Sequence, residues 1–278
     1  MNKEQVLIIT VIMYMFILYS ILMYFCIDVN ELFEGLEYKT KNFVFTSAGD
    51  KTQFDSLWIN DDMNYDIYVI YYGNDDKVYN KYKSKVKFIE KRKGSKFQNF
   101  KYFYDNYRDI INRYERFFIL DDDIIFNVND INNMFKISKQ YDLDICGPSF
   151  LPEGKITYKM TKHKPNVILT YTNFVEVNVP LFSKIALDKL MNVLDYSLIG
   201  WGIDHLYIIC NGINKKKSYA IIHSVTCINP NDDKKSNSRE LNLISNVDNR
   251  SKIWEVFAKK HNYTMYIKQY EYGSIIKK

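Results

Sequence analysis

The 278-residue chain predicts an α/β domain on a mostly parallel sheet flanked by helices, set behind one N-terminal transmembrane helix. Three observations lead there. Residues 43–148 alternate short apolar runs with segments of helical period, the pattern of strands joined by crossover helices. One of those runs, residues 116–126 (RFFILDDDIIF), delivers three consecutive aspartates at the end of an apolar strand and then turns apolar again. Residues 6–27 are uncharged and mostly apolar, long enough to cross a bilayer as a helix of roughly 20 residues.

Taken in order, residues 1–5 form a short cytoplasmic tail. Residues 6–27 read as an uncleaved signal anchor. A cleaved signal has a shorter apolar region and small residues at its cleavage site, whereas this run ends in Met23-Tyr24-Phe25-Cys26-Ile27. Lys3 precedes it; Asp28, Glu31, Glu34 and Glu37 follow before Lys39. That asymmetry predicts a type II membrane protein, its C-terminal domain in an ER/Golgi-type lumen or on an extracytoplasmic face. Residues 28–42 are an acidic stem, and 43–278 the folded domain.

Within the domain, 43–47, 65–73 and 86–89 read as strands, the second closed by Gly73-Asn74-Asp75. Residues 96–111 are helical in pattern, with Phe97, Phe100, Tyr104 and Tyr107 spaced by three and four. After the aspartate strand, Asn129 or Asp130 caps a helix whose face is Ile131, Met134 and Phe135. Residues 143–148 are a further strand. In the second half, 167–171 and 174–179 read as an antiparallel pair. Leu187, Leu190, Met191 and Leu194 trace a helical face, and 202–210 form a short helix after Gly200-Trp201-Gly202. Residues 219–228 are a strand, 238–248 a polar loop, and 251–261 a last helix.

Composition narrows the function. Hydrophobic residues make up 47% and aromatics 16%, which predicts a large core. The net charge of +5 is spread out, and clusters such as Lys215-Lys216-Lys217 read as solvated loops. Zinc-finger spacing and RNP-like aromatic motifs are missing, so nucleic acid is not the expected partner. Cys146, Cys210 and Cys227 sit in apolar contexts without a Cys-x-x-Cys pair; they read as buried thiols, with one disulfide open to them in an oxidising lumen. Asn249-Arg250-Ser251 and Asn262-Tyr263-Thr264 are glycosylation sequons, as in a luminal glycoprotein.

The candidate chemistry lies at strand ends, where parallel sheets bind ligands. Three carboxylates there repel one another, and a cation removes that cost. In an extended chain Asp121 and Asp123 point the same way, a hard oxygen pair suited to Mg²⁺ or Mn²⁺ carrying a diphosphate. The alternative for the triplet is a solvated acidic turn. Gly200-Trp201-Gly202-Ile203-Asp204 offers close backbone approach, a flat face for a sugar ring and a general base; the alternative is a core tryptophan and a helix-capping aspartate. His223 and Asn229 are candidate metal ligands near the end of the 219–228 strand, though a lone histidine is more often structural. Lys96, at a helix start, is a candidate phosphate ligand.

These segments together carry a resemblance. Asp121-Asp122-Asp123 resembles the DxD motif of GT-A-type glycosyltransferases. Asn173-Phe174-Val175-Glu176-Val177, Pro180-Leu181-Phe182-Ser183 and Gly200-Trp201-Gly202-Ile203-Asp204 follow in the order found in a poorly characterised glycosyltransferase-like family. The similarity covers roughly residues 43–230. It implies a GT-A-like nucleotide-binding sheet, a Mn²⁺ or Mg²⁺ ion on Asp123, and Asp121 on the nucleotide ribose or the metal. It also implies Asp204 as the acidic residue near the acceptor and Glu176 as a second pocket carboxylate. The family's strand with an aspartate and a metal-binding histidine six residues on has His223 and Asn229 at those positions here.

The expected protein is therefore a metal-dependent, hexosyltransferase-like enzyme. It would move sugar from a nucleotide-diphosphate sugar to a glycan, protein or lipid hydroxyl. A catalytically inactive, membrane-anchored glycan- or nucleotide-sugar-binding protein would bind donor without turnover. A metal-dependent phosphohydrolase would release phosphate from simple phosphoesters.

Overall fold

A computed structural model describes residues 13–15, 17, 20, 40–231 and 247–278. Most of the expected anchor, the stem up to residue 39, Cys26 and most of the 238–248 loop lie outside the described residues. Met13, Tyr14, Met15, Ile17 and Ser20 are helical, and no helix among the described residues is long and apolar enough to cross a membrane. The chain divides into Met1–Lys39 and Thr40–Lys278; the second unit carries the fold.

Among the described residues nine strands form one sheet: β1 (Asn42–Ala48), β2 (Asp66–Tyr71), β3 (Phe88–Lys91), β4 (Arg116–Asp121), β5 (Ile145–Phe150), β6 (Val167–Thr172), β7 (Leu181–Ser183), β8 (Tyr219–Cys227) and β9 (Glu271–Ile276). Their spatial order is β3-β2-β1-β4-β7-β5-β8-β6-β9. The first four are mutually parallel, and β5 and β8 are parallel to each other. β7 is antiparallel to both neighbours, with Leu181 opposite Phe118 of β4 and Cys146 of β5. β6 is antiparallel to β8 and β9.

Every residue of β1 is buried, as expected of a parallel strand covered on both faces. Alternate side chains go to opposite layers. Phe43 and Phe45 meet Phe100 of α3 (Lys96–Asn106), with ring centroids 6.3 and 4.9 Å away. On the other face Phe118 packs edge-on to Phe135 of α5 (Val128–Gln140) at 6.0 Å. The predicted 96–111 helix breaks at Tyr107 (φ −125°, ψ 48°) into α3 and the one-turn α4 (Arg108–Ile111). Asn127 caps α5 in place of Asn129 or Asp130; its side chain accepts the Asp130 N–H. The remaining helices are α1 (Phe54–Leu57), α2 (Asp76–Lys83), α6 (Lys184–Val193), α7 (Ile203–Asn211) and α8 (Arg250–Lys260).

One expected strand is not formed. Residues 174–179 are buried or half-buried irregular chain, because side chains satisfy carbonyls that a neighbouring strand would otherwise pair. Tyr207 donates to Val175 O, and Lys96 donates to Val177 O and Asn178 O. β7 and β9 were not anticipated. Cys146, Cys210 and Cys227 are free thiols.

Candidate active site

A cleft of about 380 Å³ lies beyond the carboxyl ends of the parallel strands. One wall comes from the ends of β1, β2 and β4 and the start of α3. The loop before β7, the 199–202 turn, the start of α7, Asn229 and Arg250 also line the cleft. Of the nine residues singled out from sequence, Lys96, Asp121, Asp122, Glu176, Trp201, Asp204 and Asn229 line it; Asp123 and His223 do not.

The three aspartates do three different things. β4 ends at Asp121, and Asp122 and Asp123 form a turn, so the two-residue alternation of an extended chain does not carry Asp123 to the side of Asp121. Asp121 faces the cleft, half-exposed, with Oδ1 2.8 Å from Lys96 Nζ. Asp122 is buried, and its Oδ2 accepts the Gly49 N–H and the Tyr72 hydroxyl, both at 2.9 Å. It thereby ties the ends of β1, β2 and β4 together. Burial, then the neighbouring Asp123 charge, pushes its carboxyl up to about 7 against the pull of those two donors. The Asp123 carboxylate oxygens are buried. A Cβ on Gly49 would sit 2.5 Å from the Tyr72 ring, which explains the glycine there. Gly49 and Tyr72 carried no sequence signal, because their role exists only once three strand ends meet.

Lys96 is the first residue of α3, where Gln98 Oε1 accepts the Ser95 N–H at 3.0 Å. Its ammonium reaches Asp121 Oδ1, Val177 O at 2.7 Å, Asn178 O at 2.9 Å and Ile119 O at 3.4 Å. Burial pulls its pKa down and Asp121 opposes that pull.

Asp204 stands in the first turn of α7, after Gly202 in left-handed conformation (φ 84°). Gly202 is packed against an indole: an added Cβ would lie 2.1 Å from Trp254 Cδ2. Asp204 is 6% exposed, and Oδ1 accepts the His205 N–H at 3.0 Å. Burial pushes its carboxyl up to about 7. Glu176 is also buried, with Oε1 accepting from Asn178 Nδ2 at 3.0 Å. Trp201 is 46% exposed, so it is a cleft residue and not core, and the Arg250 guanidinium lies 5.9 Å from its ring.

His205 also lines the cleft and was not anticipated. Its Nδ1 accepts the Ile267 N–H at 3.3 Å, which leaves the proton of the neutral ring on Nε2. The ring is stacked against Trp254, and burial lowers its pKa.

His223 is fully buried away from the cleft. Its Nδ1 accepts the Lys164 N–H at 3.3 Å and its Nε2 lies 3.1 Å from Thr170 Oγ1, so both ring nitrogens are engaged within the sheet. Burial, then Lys164 and His163, lowers its pKa to about 4. The Mn²⁺ or Mg²⁺ expected from sequence needs several oxygen ligands converging on one point. Asp121 carries a lysine, Asp122 holds Gly49 and Tyr72, and Asp123 and His223 are off the cleft wall. Among the described residues no three His, Cys, Asp or Glu side chains are gathered to hold a metal ion. This donor set does not fit the expected metal centre.

The fold is shared by solved structures. Crystal structures of TarS from S. aureus match it with a TM-score of 0.51 at 10% identity, over 80% of this chain and 39% of that one. The TarS 1-349 structure in complex with UDP-GlcNAc matches equally, over 66% of its length, and that with UDP gives 0.50 over 65%. The chain thus spans less than two thirds of these structures. By sequence the chain belongs to the family described as protein of unknown function, DUF707, which matches residues 40–271. No functionally curated protein matches it in sequence.

Proposed function

We propose that the chain is a GT-A-type glycosyltransferase that moves a sugar from a nucleotide-diphosphate sugar to a hydroxyl of a glycan, protein or lipid. The observation that carries this reading is one cleft joining the carboxyl end of β4 to Asp204, a buried carboxyl with a pKa of about 7. A general base works best with a pKa near the operating pH. The donor's nucleotide and diphosphate lie on the β4 wall, and Trp201 offers its face to a sugar ring. In the inverting course Asp204 takes the acceptor hydroxyl proton. The acceptor oxygen bonds the anomeric carbon, and the bond to the diphosphate oxygen breaks with its electron pair leaving on the diphosphate. Glu176 and the Nε2–H of His205 orient sugar hydroxyls by hydrogen bonding.

The test is a screen of the full chain against a panel of nucleotide sugars with mixed glycan acceptors, read as nucleoside diphosphate release. UDP-linked donors come first, since the TarS fragment was crystallised with UDP-GlcNAc. Release from at least one donor, dependent on acceptor, is expected. Phosphate release from simple phosphoesters, with no donor turned over, would replace this reading with a phosphohydrolase.

The domain works in a lumen or outside the cell, held by residues 6–27. Asn249 and Asn262 are both exposed, as glycan acceptors must be. In microsomes the large domain is expected to resist protease until detergent is added. Its digestion in intact vesicles would overturn this topology.

A further inference from the structure

We infer that Lys96 is the resident cation of this cleft, so that Asp121 serves the lysine and not a divalent metal, and that a nucleoside diphosphate binds here without one. An ammonium has three hydrogens. Asp121 Oδ1, Val177 O and Asn178 O, at 2.7–2.9 Å, take all three. The side chain cannot swing aside cheaply. It is 11% exposed, its backbone is held in the first turn of α3, and leaving would cost its bonds to three part-buried acceptors. Asn178 O accepts from Asp121 N as well, at 3.0 Å, so lysine, aspartate and the 177–178 turn form one closed unit. A divalent ion bound to Asp121 would stand beside this ammonium, and two cations so close repel strongly in a partly buried site.

The neighbouring charges fit the same conclusion. Lys155 and Arg250 also line the cleft. Side-chain cations of this kind can balance a diphosphate, the work otherwise done by a metal. The statement about Asp121 and Lys96 stands by itself; the statement about a nucleoside diphosphate rests on the donor reading above.

Two measurements on the full chain separate these. In the first, Mn²⁺ alone is titrated and its free ion followed by electron paramagnetic resonance. The wild type is expected to bind Mn²⁺ no more tightly than about 1 mM. Lys96→Met, which uncovers Asp121, is expected to gain Mn²⁺ uptake that is lost again when Asp121→Asn is added. Tight wild-type uptake abolished by Asp121→Asn would overturn the inference, as would a folded Lys96→Met that takes up no Mn²⁺. If Lys96→Met does not fold, the wild-type titration and its Asp121→Asn control decide. In the second, UDP is titrated calorimetrically with EDTA or with Mn²⁺, and the two Kd values are expected to agree within about threefold. Binding that disappears in EDTA would overturn metal independence. No UDP binding under either condition would sink the donor reading, while the Mn²⁺ titration would still decide the role of Lys96.

Discussion

Asp204→Asn is expected to bind a nucleoside diphosphate with wild-type affinity while transferring sugar about 10²–10⁴-fold more slowly. Asp204 bonds His205 N and not Lys96 or Asp121, so the substitution leaves the contacts of those two side chains in place. Asn keeps the size and can still accept the His205 N–H, so the melting temperature should hardly move. The pH profile separates a base from a helix cap. Burial raises the carboxyl to about 7, so below that pH the group is mostly protonated and cannot accept a proton. Wild-type kcat should therefore rise through pH 7 and level off above it. Asp122 titrates in the same range, but the Asp204→Asn variant keeps Asp122 intact. A residual rate that no longer climbs through pH 7 assigns the step to Asp204. Near wild-type transfer by a folded Asp204→Asn would move the base elsewhere, first to Glu176.

Gly202→Ala is expected to cost about 2–4 kcal/mol of stability, adding a left-handed penalty for a residue with Cβ to the overpacking of a filled core. The methyl would lie 2.1 Å from Trp254 Cδ2. That indole is fully buried and donates to Met265 O at 2.8 Å, so it cannot yield without disturbing the chain beyond α8. For a domain of this size the melting temperature should fall by roughly 5–15 °C. Gly200→Ala is the control: its φ is 129°, but nothing lies within 4 Å of the added Cβ, so only the backbone penalty applies. Equal melting temperatures for the two variants would show that contact with Trp254 is not what requires a glycine at 202.

The first half of the domain was legible because its strands are apolar runs between turn residues and its helices have clear faces. The second half was less so. The F-V-E-V segment has strand composition, yet side chains from α3 and α7 satisfy its carbonyls, a tertiary fact invisible to local pattern. β7 is too short to show a period. β9 is mostly exposed, so it lacks the apolar alternation that marks a strand. Asp121, Asp204, Glu176 and Trp201, picked from residue type and order along the chain, all line the cleft. Asp123 was misplaced because the reading assumed that the strand continued through the triplet, whereas it ends at Asp121. Tyr72 and His205 line the cleft and Gly49 supports Asp122 behind it; all three were missed because their partners are remote in sequence.

β7 has a mechanical consequence. β4 and β5 never pair directly; three residues of β7 stand between them, matched to three in β4 and two in β5. Beyond that ladder, the Ile125–Ile228 bridge ties the chain after β4 to the chain after β8. Lys96, Asp121, Asp204, Trp201 and Asn229 all line the cleft, together with Val177 and Asn178 of the chain leading into β7. Backbone bonds from Ile119 N to Pro180 O and from Asp121 N to Asn178 O, both 3.0 Å, carry the β4 side of the seam beyond the three-residue ladder. β4 and β5 therefore keep their spacing through β7, the chain leading into it and that one bridge. Loop 177–178, bonded to Lys96 and to Asp121 N just before β7, is where a disturbance of that joint would reach the cleft first.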